Sequence, residues 1–314
     1  MPKKKIALIG ATGFVGKHLV ESLTTDENYE ISVLVHKTLP PEFGKLPNLE
    51  IVRGNLLDRD TLEPLIKNAG IVINLSFPRN LSHSENLFSI KNIVDTCVQK
   101  GVTRFIHLST AVVAGAAREL TITEKTQCMP VKPYEKLKLD IEDLIVKEVS
   151  NYELEAVILR PTCIFGIGGA NLVKLCDDLL QSSTLKNYAR SCTYNRRTLN
   201  LIPVQTVVSA IEFLIHSPNI KKIDTFIVSD DEDARNNFWD VEEKVISSLS
   251  VKRHWLPKIK VPRYVLSLFL RLLNRSNNNT MRVYSSRKLR DLGWRPDIDL
   301  MHAIDKFLHY YYKQ

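Results

Sequence analysis

The chain has 314 residues, 44% hydrophobic and 25% charged, a balance that excludes a disordered or low-complexity polymer and can bury a sizeable core. Its 43 Lys and Arg against 35 Asp and Glu leave a formal charge of +8, but apart from Lys3-Lys4-Lys5 the cations are scattered, which argues against nucleic acid as a partner. Five cysteines, Cys97, Cys128, Cys163, Cys176 and Cys192, form no Cys-x-x-Cys pair, so the reading is reduced thiols in a cytoplasmic enzyme with no metal site.

No segment has signal-peptide form, because the apolar run at 6–9 is short and meets glycine at once. The longest apolar stretch, 264–273, includes Arg271 and reaches about half the length of a membrane crossing, so no transmembrane segment is expected and the stretch reads as a buried helix.

Short β-branched runs then alternate with longer amphipathic segments. KIALIG (5–10) reads as a strand followed by a helix through Leu23, EISVLV (30–35) as a strand ending in a turn, and LEIVRG (49–54) as a strand followed by a helix over 62–68. Next come a strand IVINLS (71–76), a helix over about 85–100, a strand RFIHLS (104–109), a helix over about 134–149 and a strand AVILRP (156–161). This alternation implies βαβ units and a parallel sheet covered on both faces, a doubly wound α/β fold. After Phe165 come a glycine-rich turn, a helix near 172–181 and an Arg/Asn-bearing stretch to Arg197. A strand over 199–204, a helix over 207–216 and a strand over 225–228 then return to extend the first sheet. The expected division is a cofactor domain of residues 1–165 with the returning segment at about 198–230, and a smaller substrate lobe of 166–197 and 231–314.

GATGFVG (10–16) lies directly between the first strand and its helix. A dinucleotide needs glycines there: Gly10 for the tight turn, Gly13 for approach of backbone N–H groups to a pyrophosphate, and Gly16 for close helix packing. Thr12, Phe14 and Val15 belong to the same expected cofactor site. The second strand runs into Val35, His36 and Lys37 with no carboxylate to accept from the ribose hydroxyls, so NADP(H) is favoured over NAD(H). Tyr134 and Lys138, spaced i, i+4, share one helical face, where the ammonium can lower the phenol pKa while the phenol transfers a proton. Ser109 and Thr110 end a strand and place hydroxyls at the sheet's C-terminal edge.

With these motifs the sequence resembles the extended short-chain dehydrogenase/reductase family, the NAD-dependent epimerase/dehydratase group that acts on nucleotide sugars. The likeness is carried in order by GATGFVG, VRGNLLD (52–58), ENLFSIKN (85–92), RFIHLSTAVVAG (104–115), PYEKLK (133–138), LRPTCIFG (159–166) and SSRKLRDLGWRP (285–296). The resemblance implies a Rossmann-like fold in which Thr110 holds the substrate oxygen, Tyr134 is the acid/base and Lys138 its partner. It further implies that Asn55 and Leu56 contact the adenine, that Leu75, Ser76, Phe77 and Leu108 pass the cofactor, and that Pro161 and Thr162 lie beside the nicotinamide. Family members often dimerise through two helices per subunit, here 85–100 and 134–149, which makes a homodimer an expectation.

Departures from the family pattern narrow the reaction. Sugar 4,6-dehydratases carry an Asp-Glu pair after the catalytic Thr, where Ala111 and Val112 stand here; epimerase-reductases that enolise at two carbons carry a Cys where Ala111 stands. Cys163 stands where the family often has Asn, and residues 203–207 lack its usual Asp, so substrate contacts are altered. Asn171 matches an Asn that contacts the substrate's diphosphate, and Arg196 and Arg197 are candidate cations for the same group. The expected substrate is a nucleotide diphospho-sugar and the expected reaction NADPH-dependent reduction of its 4-keto group. A nucleotide-sugar 4-epimerase, a reductase of a steroid- or flavonol-like ketone and a cofactor-sensing scaffold stay open beside it.

Overall fold

Ile6, Leu8 and Ile9 lie in the central strand of a parallel sheet whose interior is almost wholly β-branched and aliphatic, as burial on both faces demands. The structure is a computed structural model that describes residues 3–252, 255–257, 259 and 280–312; the stretch 264–273, read as a buried helix, lies outside them. The chain divides into two compact units.

The first unit comprises the described residues of Met1–Thr110, Pro133–Arg160 and Val208–Phe226. Strands β1 (Lys4–Ile9), β2 (Tyr29–Val35), β3 (Leu49–Arg53), β4 (Ile71–Asn74), β5 (Arg104–Leu108), β7 (Glu155–Pro161) and β10 (Ile223–Val228) form a sheet in the order β10-β7-β5-β4-β1-β2-β3. Parallel register pairs Ile6 with Ile31 on one side and Ile71 on the other, and carries on through Ile73–Ile106 and Ile106–Val157. The order reverses at β1: β2 and β3 leave to one side, β4, β5 and β7 to the other. Beyond the carboxyl ends of β1 and β4, a crevice therefore opens at the topological switch point.

Helix α1 (Phe14–Thr24) buries Gly16, Leu19, Val20 and Leu23, a stripe at i, i+3, i+4 and i+7. Two longer helices, α3 (His83–Gln99) and α4 (Pro133–Val149), pack side by side, and α2 (Leu62–Ile66) is a single short turn beside α3. Ser82 starts α3 with a capping box, accepting from Glu85 N while the Glu85 carboxylate accepts from Ser82 N. Ile90, Ile93, Val94, Leu137, Ile141 and Ile145 from these helices join Ala7, Val72 and Phe105 of the sheet in one core.

The second unit comprises the described residues of Ala111–Lys132, Pro161–Val207 and Ile227–Gln314. Its strands pair in twos, β6 (Thr121–Ile122) with β11 (Val283–Tyr284) and β8 (Cys163–Phe165) with β9 (Leu201–Pro203). Its helices include α5 (Val173–Gln181), α6 (Thr184–Tyr194), α8 (Phe238–Ser248) and, near the C-terminus, Leu300–Tyr312. Phe165, Cys176, Leu179, Leu201, Val241, Val245, Ile304 and Phe307 form its core. Helix α7 (Val204–His216) runs through the division at 207/208.

Of the returning strands, β10 extends the main sheet as expected, whereas the strand expected at 199–204 is shorter and pairs with β8 instead. Residues 111–132, which the sequence reading leaves with the first domain, group with the second unit.

Candidate active site

β1 ends at Ile9, and Gly10 turns the chain at φ 85°, in the left-handed region that glycine adopts without penalty. A Cβ on Gly10 would stand 2.7 Å from Ser76 N and 2.8 Å from the Leu75 carbonyl carbon, so the turn can lie against the end of β4 only because no side chain is there. A Cβ on Gly16 would collide with Gly10 O and come within 2.7 Å of Ala11 Cα, which is what seats α1 on the turn. Gly13 is the N-cap of α1 and offers no side-chain cap. The first-turn amides thus keep no helical partner, and the positive end of the helix dipole faces the turn.

Beside this turn lies a cavity of about 990 Å³. It is lined by Gly10, Thr12, Gly13 and Phe14 of the turn, His36 after β2, Asn55 and Leu56 after β3, Leu75, Ser76 and Phe77 after β4, and Tyr134 of α4. A glycine cradle, free helix-terminal amides and a cavity of this size fit a nicotinamide dinucleotide. The wall behind Ser76 is built by side chains: Asn74 Oδ1 accepts from Ser76 N (3.0 Å) and Ser76 Oγ (2.6 Å). That leaves the Asn74 amide nitrogen facing His107 Nδ1 at 3.2 Å. His107 is fully buried, and burial first, then the Lys138 charge, holds its pKa well below the ordinary value, so the ring is neutral.

Thr110, Tyr134 and Lys138 come together in this unit. Tyr134 is 43% exposed, and its ring meets Phe77 edge-on with centroids 5.0 Å apart. Desolvation raises the phenol pKa, while a hydrogen bond with Thr110 and the nearby Arg79 charge pull it back. Lys138 is buried; its Nζ donates to Leu108 O at 3.0 Å and lies 4.8 Å above the Phe77 ring. Burial lowers the ammonium pKa to about 8, with the Glu142 carboxylate acting in the opposite direction. Phe77 thus bridges the two α4 side chains, and Leu108 contributes its carbonyl oxygen.

Other sequence candidates take separate places. Val15 and Gly16 lie in the first turn of α1 and Lys37 is exposed after β2; none of them lines the cavity. In the second unit, Thr162 is buried with its amide on Val228 O at 3.1 Å and no partner for its hydroxyl, and it follows Pro161, the last residue of β7. Cys163 opens β8 with a thiol pushed up to about 11 by burial and by Asp231. Asn171 donates to Ile164 O at 2.7 Å, Arg196 is exposed 4.0 Å from Asp240, and Arg197 lies 5.7 Å from the Tyr194 ring centroid.

The sequence reading missed Arg79, Asn86 and Leu137, which also line the cavity, and Glu142, which accepts from the Ser109 hydroxyl beside Thr110. Arg79 follows a strand end by a few residues and Glu142 stands i+4 from Lys138, so spacing was the available signal for both. Among the described residues no group of His, Cys, Asp and Glu could hold a metal, and no helix is long and apolar enough to cross a membrane.

The sequence model of the NAD dependent epimerase/dehydratase family matches residues 6–187. The UDP-glucose 4-epimerase of Vibrio cholerae is 28% identical over 318 residues, spanning 94% of this chain and 92% of that protein. The decarboxylating sterol-4-alpha-carboxylate 3-dehydrogenase of Mus musculus is 23% identical over 342 residues, spanning 96% of this chain and 90% of that one. Among solved structures, the dTDP-glucose 4,6-dehydratase of Bacillus anthracis in complex with NAD has a TM-score of 0.76 at 16% identity, covering 99% of this chain and 97% of that chain, a likeness of fold.

Proposed function

This chain belongs to the NAD dependent epimerase/dehydratase family, a group of extended short-chain dehydrogenases/reductases, and from that premise we propose that it reduces a keto group with NADPH, the substrate being a 4-keto nucleotide-linked deoxysugar. The observation that carries the reading is that Tyr134 lines the cavity beside the glycine turn, with Thr110 hydrogen-bonded to it and Lys138 against the Phe77 ring that Tyr134 meets edge-on. A nicotinamide dinucleotide supplies the hydride when bound. Tyr134 gives its proton to the carbonyl oxygen as that oxygen gains charge, Thr110 donates a hydrogen bond to the same oxygen, and Lys138 holds the proton-transfer site electropositive. Ala111 and Val112 follow Thr110, so no acid–base pair stands there to expel a hydroxyl as water.

His36 at the cavity and Lys37 beside it support a cofactor bearing a 2′-phosphate. We assign cofactor binding to the first unit, and substrate selection to Cys163, Asn171, Arg196 and Arg197 of the second. The enzyme is further proposed to be cytoplasmic, which the free cysteines support, and to work as a homodimer.

A second reading, nucleotide-sugar 4-epimerisation, draws support from the Vibrio cholerae relative, which spans nearly the whole chain. The two readings differ in what they ask of the cofactor. A reductase releases and rebinds it every turnover; an epimerase oxidises and reduces the same carbon and must retain it. The purified protein is expected to carry little bound nicotinamide and to consume NADPH stoichiometrically with a 4-keto nucleotide sugar, followed by nicotinamide absorbance. Copurified stoichiometric nicotinamide, with interconversion of two 4-hydroxy epimers and no net absorbance change, establishes the epimerase. Consumption with a sterol ketone alone shifts the substrate class to that of the Mus musculus relative.

A further inference from the structure

Glu142 is the acid that the proposed reaction does not use, and it lies at the junction of three elements. Arg160, near the end of β7, donates through Nε to both carboxylate oxygens at 3.1 Å and through Nη2 to Oε2 at 2.5 Å. Ser109, just past β5, donates its hydroxyl to Oε1. The Glu142 and Arg160 side chains are 4% and 11% exposed, so the pair is held away from water. A backbone bond continues the clamp, Ser109 N on Leu159 O at 2.7 Å, and the Lys138 ammonium donates to the neighbouring Leu108 O at 3.0 Å.

Three consecutive residues at the end of β5 therefore have distinct tasks. Leu108 receives Lys138, Ser109 is tied to Glu142, and Thr110 shares a hydrogen bond with Tyr134. Because α4 returns to the same face every four residues, Glu142 stands one turn beyond Lys138, which stands one turn beyond Tyr134. A buried ion pair gives little net stability, since desolvating two charges offsets their attraction. What it does give is a fixed geometry, because both Glu142 oxygens are committed.

We propose that Glu142 is a positioning residue whose carboxylate, by joining Ser109 to Arg160, sets Thr110 and Lys138 in register with Tyr134. The proposal rests on the reading of those three as the reacting set. The charge of Glu142 has a second effect. Lys138 is faced by Glu142 from its own helix α4, by neutral His107 from β5, by the Phe77 ring after β4 and, across Glu142, by Arg160 of β7. Glu142 alone among these is anionic, so it sustains the ammonium against burial.

The test is Glu142→Gln in the full chain, with lysine ε-carbons isotopically labelled and the Lys138 signal assigned by its loss in Lys138→Met. The Lys138 titration midpoint is expected to fall by about one pH unit or more, and the high-pH limb of turnover to move the same way. A folded Glu142→Gln protein with the wild-type midpoint and limb, altered only in melting temperature, overturns the proposal. Should that variant fail to fold, Ser109→Ala keeps the ion pair and removes only the tie to β5. A several-fold loss of kcat at unchanged KM is expected there, and wild-type kcat in the folded variant overturns the proposal. The titration needs neither cofactor nor substrate, so a missing midpoint shift counts against Glu142 itself. A shift combined with full turnover in Lys138→Met counts against the reacting set instead.

Discussion

Tyr134 holds its proton under opposed influences: desolvation favours the neutral phenol, and Thr110 with Arg79 favours giving the proton up. Tyr134→Phe keeps the ring, and with it the edge contact to Phe77 at 5.0 Å, while removing the transferable proton. Cofactor binding is expected to survive and turnover to fall by about two orders of magnitude or more, read by fluorescence titration and steady-state rates on one preparation. Lys138→Met should impair both, because it removes the ammonium that contacts the Phe77 ring and Leu108 O. Near wild-type turnover in Tyr134→Phe would refute the site. The shared helical face of Tyr134 and Lys138 is legible from their i, i+4 spacing, but what gives that spacing weight is its place after the glycine turn and after the strand that ends in Ser109 and Thr110. Glu142 has the same spacing from Lys138 yet was not legible, because its meaning depends on Arg160 and Ser109, which only the sheet brings to it. Ser109 was expected to present its hydroxyl at the sheet edge beside Thr110; it turns inward to Glu142 instead.

The strand–turn–helix of β1 and α1 was readable because it is local: Gly10 and Gly16 are required by contacts within seven residues of chain and with the end of β4. The strands of the first unit were readable for a similar reason, as each is a short β-branched run bounded by turn residues. Pairing was not. The strand at Leu201–Pro203 has the apolar character of a sheet interior, but nothing in a strand's own pattern names its partner, and it joins β8. Helix α6 escaped because Lys186, Asn187, Arg190 and Ser191 interrupt its apolar face; it buries Asn187 and Ser191 by bonding them to Leu179 O and Glu242. The strands β6 and β11, two residues each, carry no periodicity to detect. At the end of β2 the element itself makes a prediction. Val35 is buried and His36, at the cavity, is the first exposed residue, with no carboxylate before the chain turns. NADPH is therefore expected to bind at least about tenfold tighter than NADH, roughly 1.4 kcal/mol, which charge-assisted contacts to a 2′-phosphate can supply. Equal affinities in a fluorescence titration, or a preference for NADH, would remove the basis for NADP selectivity.

Assembly is decided by what the folded chain leaves uncovered. Of the apolar residues that make α3 and α4 candidates for a subunit seam, Ile90, Ile93, Val94, Leu137, Ile141 and Ile145 are already spent in the core of the first unit, and Leu87 and Leu144 are half-buried against it. The apolar surface that these two helices keep outside is carried by others, among them Phe88 at 52% and Val146 at 38% exposure. Lys91 on α3 is paired within the unit with Glu148 of α4 at 3.1 Å, so this pair needs no partner subunit for neutralisation. A chain of formal charge +8 repels its own copies, and any seam must overcome that repulsion by apolar burial. The expected outcome is a dimer by light scattering at micromolar concentration, tightened by added salt because screening removes repulsion without touching the apolar contact. Phe88→Asp, which places a desolvated charge in the seam, should give a monomer with the wild-type melting profile of the subunit. A wild-type monomer under these conditions, or a dimer indifferent to Phe88→Asp, would place the seam elsewhere or nowhere on α3 and α4.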